Sequence, residues 1–209
     1  MTAADPDTVI TVARSWLGTP YHDQASVKGV GCDCLGLARG VWREVVGPEP
    51  FPIPPYSRDW GESGSSEVLA EGARAMMPEI APADAPPGAL ILFRMMPRAI
   101  AKHVGILTAP DRFIHAYERL GVFEEVLTPA WARKIAFAFL FPKPCNLTHG
   151  YFGSRRRRPR DWRRFWRRHH WLFRVRPSAA SSARPSVRSS TTGSSRPWPQ
   201  PNASKARGR

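Results

Sequence analysis

Apolar residues change their spacing once along this chain, and that change decides which folds are open to it. In the first part they recur every three or four positions: Val9, Ile10, Val12, Ala13, Trp16 and Leu17, then Cys34, Leu37, Ala38, Val41, Trp42 and Val45, then Val68, Leu69, Ala73, Met76 and Met77. Each set makes one buried face on a helix. The first helix is expected over 7–17 with Asp5 or Asp7 as cap and Gly18 as stop, the second runs to Gly47-Pro48, and the third covers 65–77 before Pro78. Residues 48–64, rich in Pro, Gly, Ser and aromatics (Phe51, Tyr56, Trp60), read as a loop. From Ala89 the pattern is that of strands: 89–93, 103–107, 112–117, 122–127 and 135–141. Helices followed by strands predict an α+β domain, its N-terminal helices packed on one side of an antiparallel sheet, with the strands in a meander.

The pattern stops at Cys145, which divides the chain into a domain of residues 1–144 and a tail of residues 145–209. The domain carries 14 Lys and Arg against 16 Asp and Glu, whereas the tail carries 17 against 1, so the net charge of +14 resides in the tail. Arg155 to Arg158, the Trp and Arg mixture from Asp161 to Arg176 and the Ser/Pro/Ala/Arg run beyond offer little to pack, and disorder is expected. Trp162, Phe165, Trp166, Trp171 and Phe173 among the arginines leave open a short basic helix that contacts a membrane or a partner. Nucleic-acid contact through phosphate charge and base stacking is equally open, and a solvated tail without a ligand is the plainer expectation. Translation of a shifted reading frame in GC-rich DNA would produce the same abrupt change of composition.

Three cysteines, two of them only two residues apart, make no disulfide framework and fit synthesis in a reducing compartment. The N-terminal residues lack a basic stretch followed by an apolar one, so no signal peptide is expected. No apolar run approaches the ~20 residues that span a bilayer. If the protein works outside the cytoplasm, another route is expected to carry it there.

Gly31-Cys32-Asp33-Cys34-Leu35-Gly36-Leu37 opens the second helix and carries the chemistry. Cys34 falls in the first turn, where unpaired backbone N–H groups and the helix dipole favour a thiolate. Such a position lowers a thiol's pKa and makes it a nucleophile. Asp33 is a short acidic residue of the kind that caps a helix. Gly29 and Gly31 permit a sharp turn ahead of it. A nucleophilic cysteine needs a histidine base brought near by the fold, and His103 and His115 lie on neighbouring expected strands. The plain alternative is a small core cysteine, and Cys32 is read that way. A zinc site from Cys32, Cys34, His103 and His115 has enough ligands, but its one-residue cysteine gap is tighter than structural zinc sites use. No metal or other cofactor is expected.

Gly18-Thr19-Pro20-Tyr21, Asp33-Cys34-Leu35-Gly36-Leu37, His103-Val104-Gly105-Ile106 and His115 occur in the order and spacing of the NlpC/P60 cell-wall cysteine peptidases, which residues 7–142 resemble. More closely, Gly31 to Leu37, Lys102 to Gly105 and Phe113 to Tyr117 resemble the phage-type branch found in tails of prophages and gene transfer agents. The resemblance implies a papain-like fold and hydrolysis of peptidoglycan stem peptides, typically between D-γ-glutamate and diaminopimelate. It implies Cys34 as nucleophile, His103 as general base and His115 as the third polar member. Tyr21 and Asp33 are the expected substrate-contacting residues. It also implies phage-like tail proteins as partners and a place in a particle that acts on the cell wall. Leu35 departs from the serine of many relatives. An amidase or acyltransferase on the same scaffold, and a non-catalytic structural tail protein, are the alternative functions.

Overall fold

Asp5 opens the first helix, α1 (Pro6–Arg14), by accepting the Thr8 backbone N–H at 3.0 Å. Pro6 occupies the first position, where its missing N–H costs nothing. The helix ends at Ser15, earlier than its apolar spacing suggested, and residues 15–17 continue as hydrogen-bonded turns. The computed structural model describes residues 2–53, 55–56 and 66–144. Trp60, Cys145 and everything expected of the tail lie outside the described residues.

A short hairpin follows, β1 (Ser26–Val27) with β2 (Gly31–Cys32), too brief to leave a period in the sequence. Then come α2 (Cys34–Val45), α3 (Val68–Arg74), β3 (Glu79–Ile80), β4 (Leu90–Phe93), β5 (His103–Ala109), β6 (Arg112–Tyr117), β7 (Gly121–Val126), α4 (Pro129–Ala132) and β8 (Ile135–Phe139). Strands β3 to β8 form one antiparallel sheet in the order β3-β8-β4-β5-β6-β7. The expected meander therefore holds from β4 to β7 and fails at β8, which pairs with β4. The cause is α4: Trp131 packs edge-on against Phe93 and Phe113 at ring distances of 5.0 and 5.2 Å, carrying the chain back across the sheet to the free edge of β4.

Side chains alternate along the strands. Leu90, Leu92, Val104, Ile106, Ile114, Ala116, Val122 and Phe139 face α1 and α2 and pack with Val9, Ala13, Trp16, Leu37, Ala38 and Val41. Ile91, Phe93, Leu107, Phe113 and Ala138 face the other way and are covered by Leu127, Trp131 and Ile135. Burial on both faces explains the unbroken run Leu90-Ile91-Leu92-Phe93. Two close approaches demand glycine. A Cβ on Gly36 would lie 1.8 Å from the Ala25 carbonyl oxygen, so the first turn of α2 rests directly on the loop before it. A Cβ on Gly105 would lie 2.9 Å from the Phe113 ring and 3.1 Å from that of Phe93. The ends of the domain are paired: Ala4 N–H donates to the Phe141 carbonyl at 2.7 Å and Lys143 N–H to that of Thr2 at 2.9 Å.

Candidate active site

Asp33 caps α2 through Oδ1, which accepts the Gly36 N–H at 2.6 Å. Its Oδ2 accepts the Gln24 N–H at 2.8 Å and the Tyr56 hydroxyl at 2.5 Å. Only 4% of Asp33 is exposed. A substrate contact is expected of Asp33 as well; in this structure its carboxylate faces inward and organises the loop around the helix start. Tyr56, unremarked in the sequence beyond its aromatic ring, belongs to that arrangement.

The Cys34 thiol stands half-buried against β5. Sγ lies 3.9 Å from the Lys102 carbonyl oxygen and accepts from the Val104 N–H, so the sulfur touches the peptides on both sides of His103. The β5–β6 ladder runs only from Ile106 opposite Ile114 to Ala109 opposite Arg112, which leaves the His103 end of β5 outside it. Backbone N–H groups of Cys34 and Leu35 also point at the sulfur. They favour the thiolate, but burial and the adjacent Asp33 charge outweigh them and push the thiol up to about 12. The expected depression of this pKa is thus reversed: the capping carboxylate that orders the helix start also cancels its positive field.

His103 and His115 are brought together by adjacent strands. His103 Nε2 and His115 Nδ1 are 2.8 Å apart. Burial, then the neighbouring His115 and Lys134, push His103 down to about 3. Burial also lowers His115, to about 4, against the opposing pull of Glu125. His115 is fully buried among the rings of Phe113 (4.7 Å), Phe123 (4.6 Å), Trp131 (5.4 Å) and Tyr117 (5.6 Å). Its Nε2 lies 3.1 Å from Glu125 Oε2, and Glu125 Oε1 accepts the Trp131 indole N–H at 2.9 Å. The Glu125 approach is off the line of a straight hydrogen bond and acts through charge and proximity. Glu125 and Trp131 were not singled out in the sequence. Alternation places Phe123 and Glu125 on one face of β7, but only the register of β7 on β6 puts that face over His115.

Tyr21 sits in a loop clamped from two directions. Gly18 N–H donates to the Val122 carbonyl and Val122 N–H to that of Thr19, while Cys32 N–H donates to Pro20 and His22 N–H to Cys32. The hydroxyl donates to Asp23 Oδ1 at 3.1 Å. Burial, and the nearness of Cys34 and Asp23, raise its pKa, so it keeps its proton close to the sulfur. Gly31 is required by His22, whose ring would meet a Cβ there at 2.3 Å. Leu35 turns from the thiol to pack with Ile53, Tyr56 and Val68 beside an apolar cavity of about 110 Å³. Cys32 is wholly buried in the core, and burial pushes its thiol up to about 12. Among the described residues no three of His, Cys, Asp and Glu gather as a metal-binding group. What the arrangement offers is a thiol seated against the backbone on both sides of His103, an imidazole carried by that residue, a second imidazole hydrogen-bonded to the first, and backbone donors at a helix start.

The NlpC/P60 family model matches residues 18–138, a span that holds every one of these groups. No curated protein matches the chain. Among solved structures it is similar to the NlpC/p60 domain of the peptidoglycan hydrolase SagA, at 25% identity and a TM-score of 0.46, over 65% of this chain and 97% of that one. It is also similar to the peptidoglycan hydrolase RipB of Mycobacterium tuberculosis, at 24% identity and a TM-score of 0.41, over 66% and 65%. A lipoprotein-like NLP/P60 protein of Staphylococcus aureus matches at 23% identity and a TM-score of 0.46, over 68% of this chain and 43% of that one. The chain thus spans less than two thirds of these last two proteins.

Proposed function

The chain belongs to the NlpC/P60 family, and from that membership we propose that it is a cysteine peptidase hydrolysing peptidoglycan stem peptides, with Cys34 as nucleophile, His103 as general base and His115 as the residue that orients His103. The observation that carries this reading is the thiol seated against the peptides flanking His103, whose far nitrogen is held by His115 at 2.8 Å.

Burial disfavours the charged forms of both thiol and imidazole in the free protein. Sγ bonds to the substrate carbonyl carbon while His103 takes the thiol proton. The oxyanion is met by backbone N–H groups at the start of α2, and Tyr21, whose hydroxyl proton is donated to Asp23, serves as a substrate contact. As the C–N bond breaks, His103 returns the proton to the departing amine. Water, deprotonated by the same imidazole, then hydrolyses the thioester and restores the thiol.

The bond between D-γ-glutamate and diaminopimelate is the proposed target. The motif resemblance of Gly31–Leu37, Lys102–Gly105 and Phe113–Tyr117 to the phage-type branch supports a place in a phage or gene-transfer-agent tail that opens the wall for DNA delivery. The test is muropeptide release from purified peptidoglycan by the full chain beside Cys34→Ala, with products identified by mass. Cleavage lost in the variant supports the reading and names the bond. No release by folded wild-type protein across several wall chemistries defeats it. Mass spectrometry of purified particles tests the tail location.

A further inference from the structure

A carboxylate stands behind the two histidines, and the proton positions follow from it. Glu125 Oε2 is 3.1 Å from His115 Nε2, off the line of a straight hydrogen bond, and a carboxylate so close repels a lone pair and favours a proton on the nitrogen that faces it, so the proton of neutral His115 belongs on Nε2. His115 Nδ1 then carries a lone pair. Its 2.8 Å contact with His103 Nε2 requires a proton on that nitrogen. What remains of His103 is Nδ1, unprotonated, the ring nitrogen nearest the backbone that the Cys34 sulfur touches. With the opposite tautomer of His115 every proton in this row reverses, and His103 would present an N–H to the thiol and could not take its proton.

We propose that Glu125 is a positioning residue which, through His115, fixes the tautomer of His103 that can deprotonate Cys34. This rests on the proposed roles of Cys34 and His103. The sheet register supplies the reach. Glu125 lies opposite Phe113 on β6 and His115 lies opposite Phe123 on β7, so Glu125 is the diagonal neighbour of His115 on the same face. The indole N–H of Trp131 holds the other carboxylate oxygen at 2.9 Å, and α4 carries that indole over both imidazoles. Lys134, 4.9 Å from the Trp131 ring, is the opposing charge on this face and lowers the basicity of His103. Glu125 offsets it, since a negative charge on the far side of His115 favours the proton that arrives when the thiol gives its own up.

Full-length wild type, Glu125→Gln and Glu125→Ala are compared in three measurements. Iodoacetamide alkylation of Cys34, followed by mass, needs no peptidoglycan. Muropeptide release gives kcat and KM. Long-range ¹H–¹⁵N spectra of Cys34→Ala protein, with and without Glu125→Gln, report which His115 nitrogen carries the proton. The expected result is an Nε2–H pattern lost in Glu125→Gln, with alkylation at pH 7 and kcat each about tenfold slower and KM within about twofold. Glu125→Gln keeps the shape of the side chain, so a fold lost only in Glu125→Ala leaves the test intact. Full kcat and alkylation in Glu125→Gln, or an Nδ1–H pattern on wild-type His115, overturns the proposal. Glu125-dependent alkylation without muropeptide release overturns the peptidoglycan reading and supports the positioning role.

Discussion

The Tyr56 hydroxyl donates at 2.5 Å to Asp33, the residue that caps α2 and immediately precedes Cys34. A loop residue thereby fixes the start of the helix that presents the thiol. Tyr56→Phe removes the donor and leaves the buried carboxylate short of a partner, at a cost of about 1.5–3 kcal/mol for a hydrogen bond to a charged group. Urea unfolding should shift to lower midpoint by that amount, with a fall in Cys34 alkylation rate. An unchanged midpoint would show that Asp33 is anchored by Gly36 and Gln24 alone.

The two neighbouring cysteines should separate cleanly. Cys34→Ala is expected to abolish hydrolysis without unfolding the domain. Cys32→Ala should leave activity largely intact while costing about 1 kcal/mol for the small void left in the core. Parallel assays of muropeptide release and thermal unfolding decide it, and the reverse pattern would reassign the nucleophile.

Stability should decline on both sides of neutrality. His103 has an ordinary value of 6.5 and a folded value of about 3. Above pH 6.5 both states are neutral there; below it the unfolded chain takes the proton first, so stability falls as pH falls toward 3. Cys34 moves from 9.0 to about 12, and Cys32 does the same. Below pH 9 both thiols are protonated in both states; above it the unfolded chain loses protons first, so stability falls as pH rises toward 12. Urea midpoints at pH 5, 7.5 and 9.7 should peak at the middle value. Cys32→Ala/Cys34→Ala should flatten the alkaline decline.

Gly36→Ala sets two effects against each other. Alanine would improve helix propensity by about 1 kcal/mol. Its Cβ would lie 1.8 Å from the Ala25 carbonyl oxygen, a backbone atom with little room to move, and forced overpacking costs about 1–3 kcal/mol. The clash should win, giving a lower melting temperature and slower Cys34 alkylation. A stabilised variant with full reactivity would mean the loop before α2 yields freely.

The α2 register, its Asp33 cap and the β4–β7 meander were legible in the sequence because each rests on local spacing. The course of β8 was not, since it depends on Trp131 packing across Phe93 and Phe113, about which periodicity is silent. The direction of the Cys34 pKa was misjudged for a similar reason. Local reasoning counts the helix N–H groups, whereas the balance turns on burial and on an Asp33 charge locked in place by Tyr56 from beyond α2. His103 and His115 were found by motif, but Glu125 behind them needed the register of β7.

The pairing of Thr2 with Lys143 and of Ala4 with Phe141 makes the domain nearly a closed ring. A chain joined there by a short linker would close with little entropic cost. It could then be opened elsewhere on its circumference without disturbing the strands that carry the two imidazoles. Anything fused before residue 2 or after residue 143 would leave the domain from one shared point.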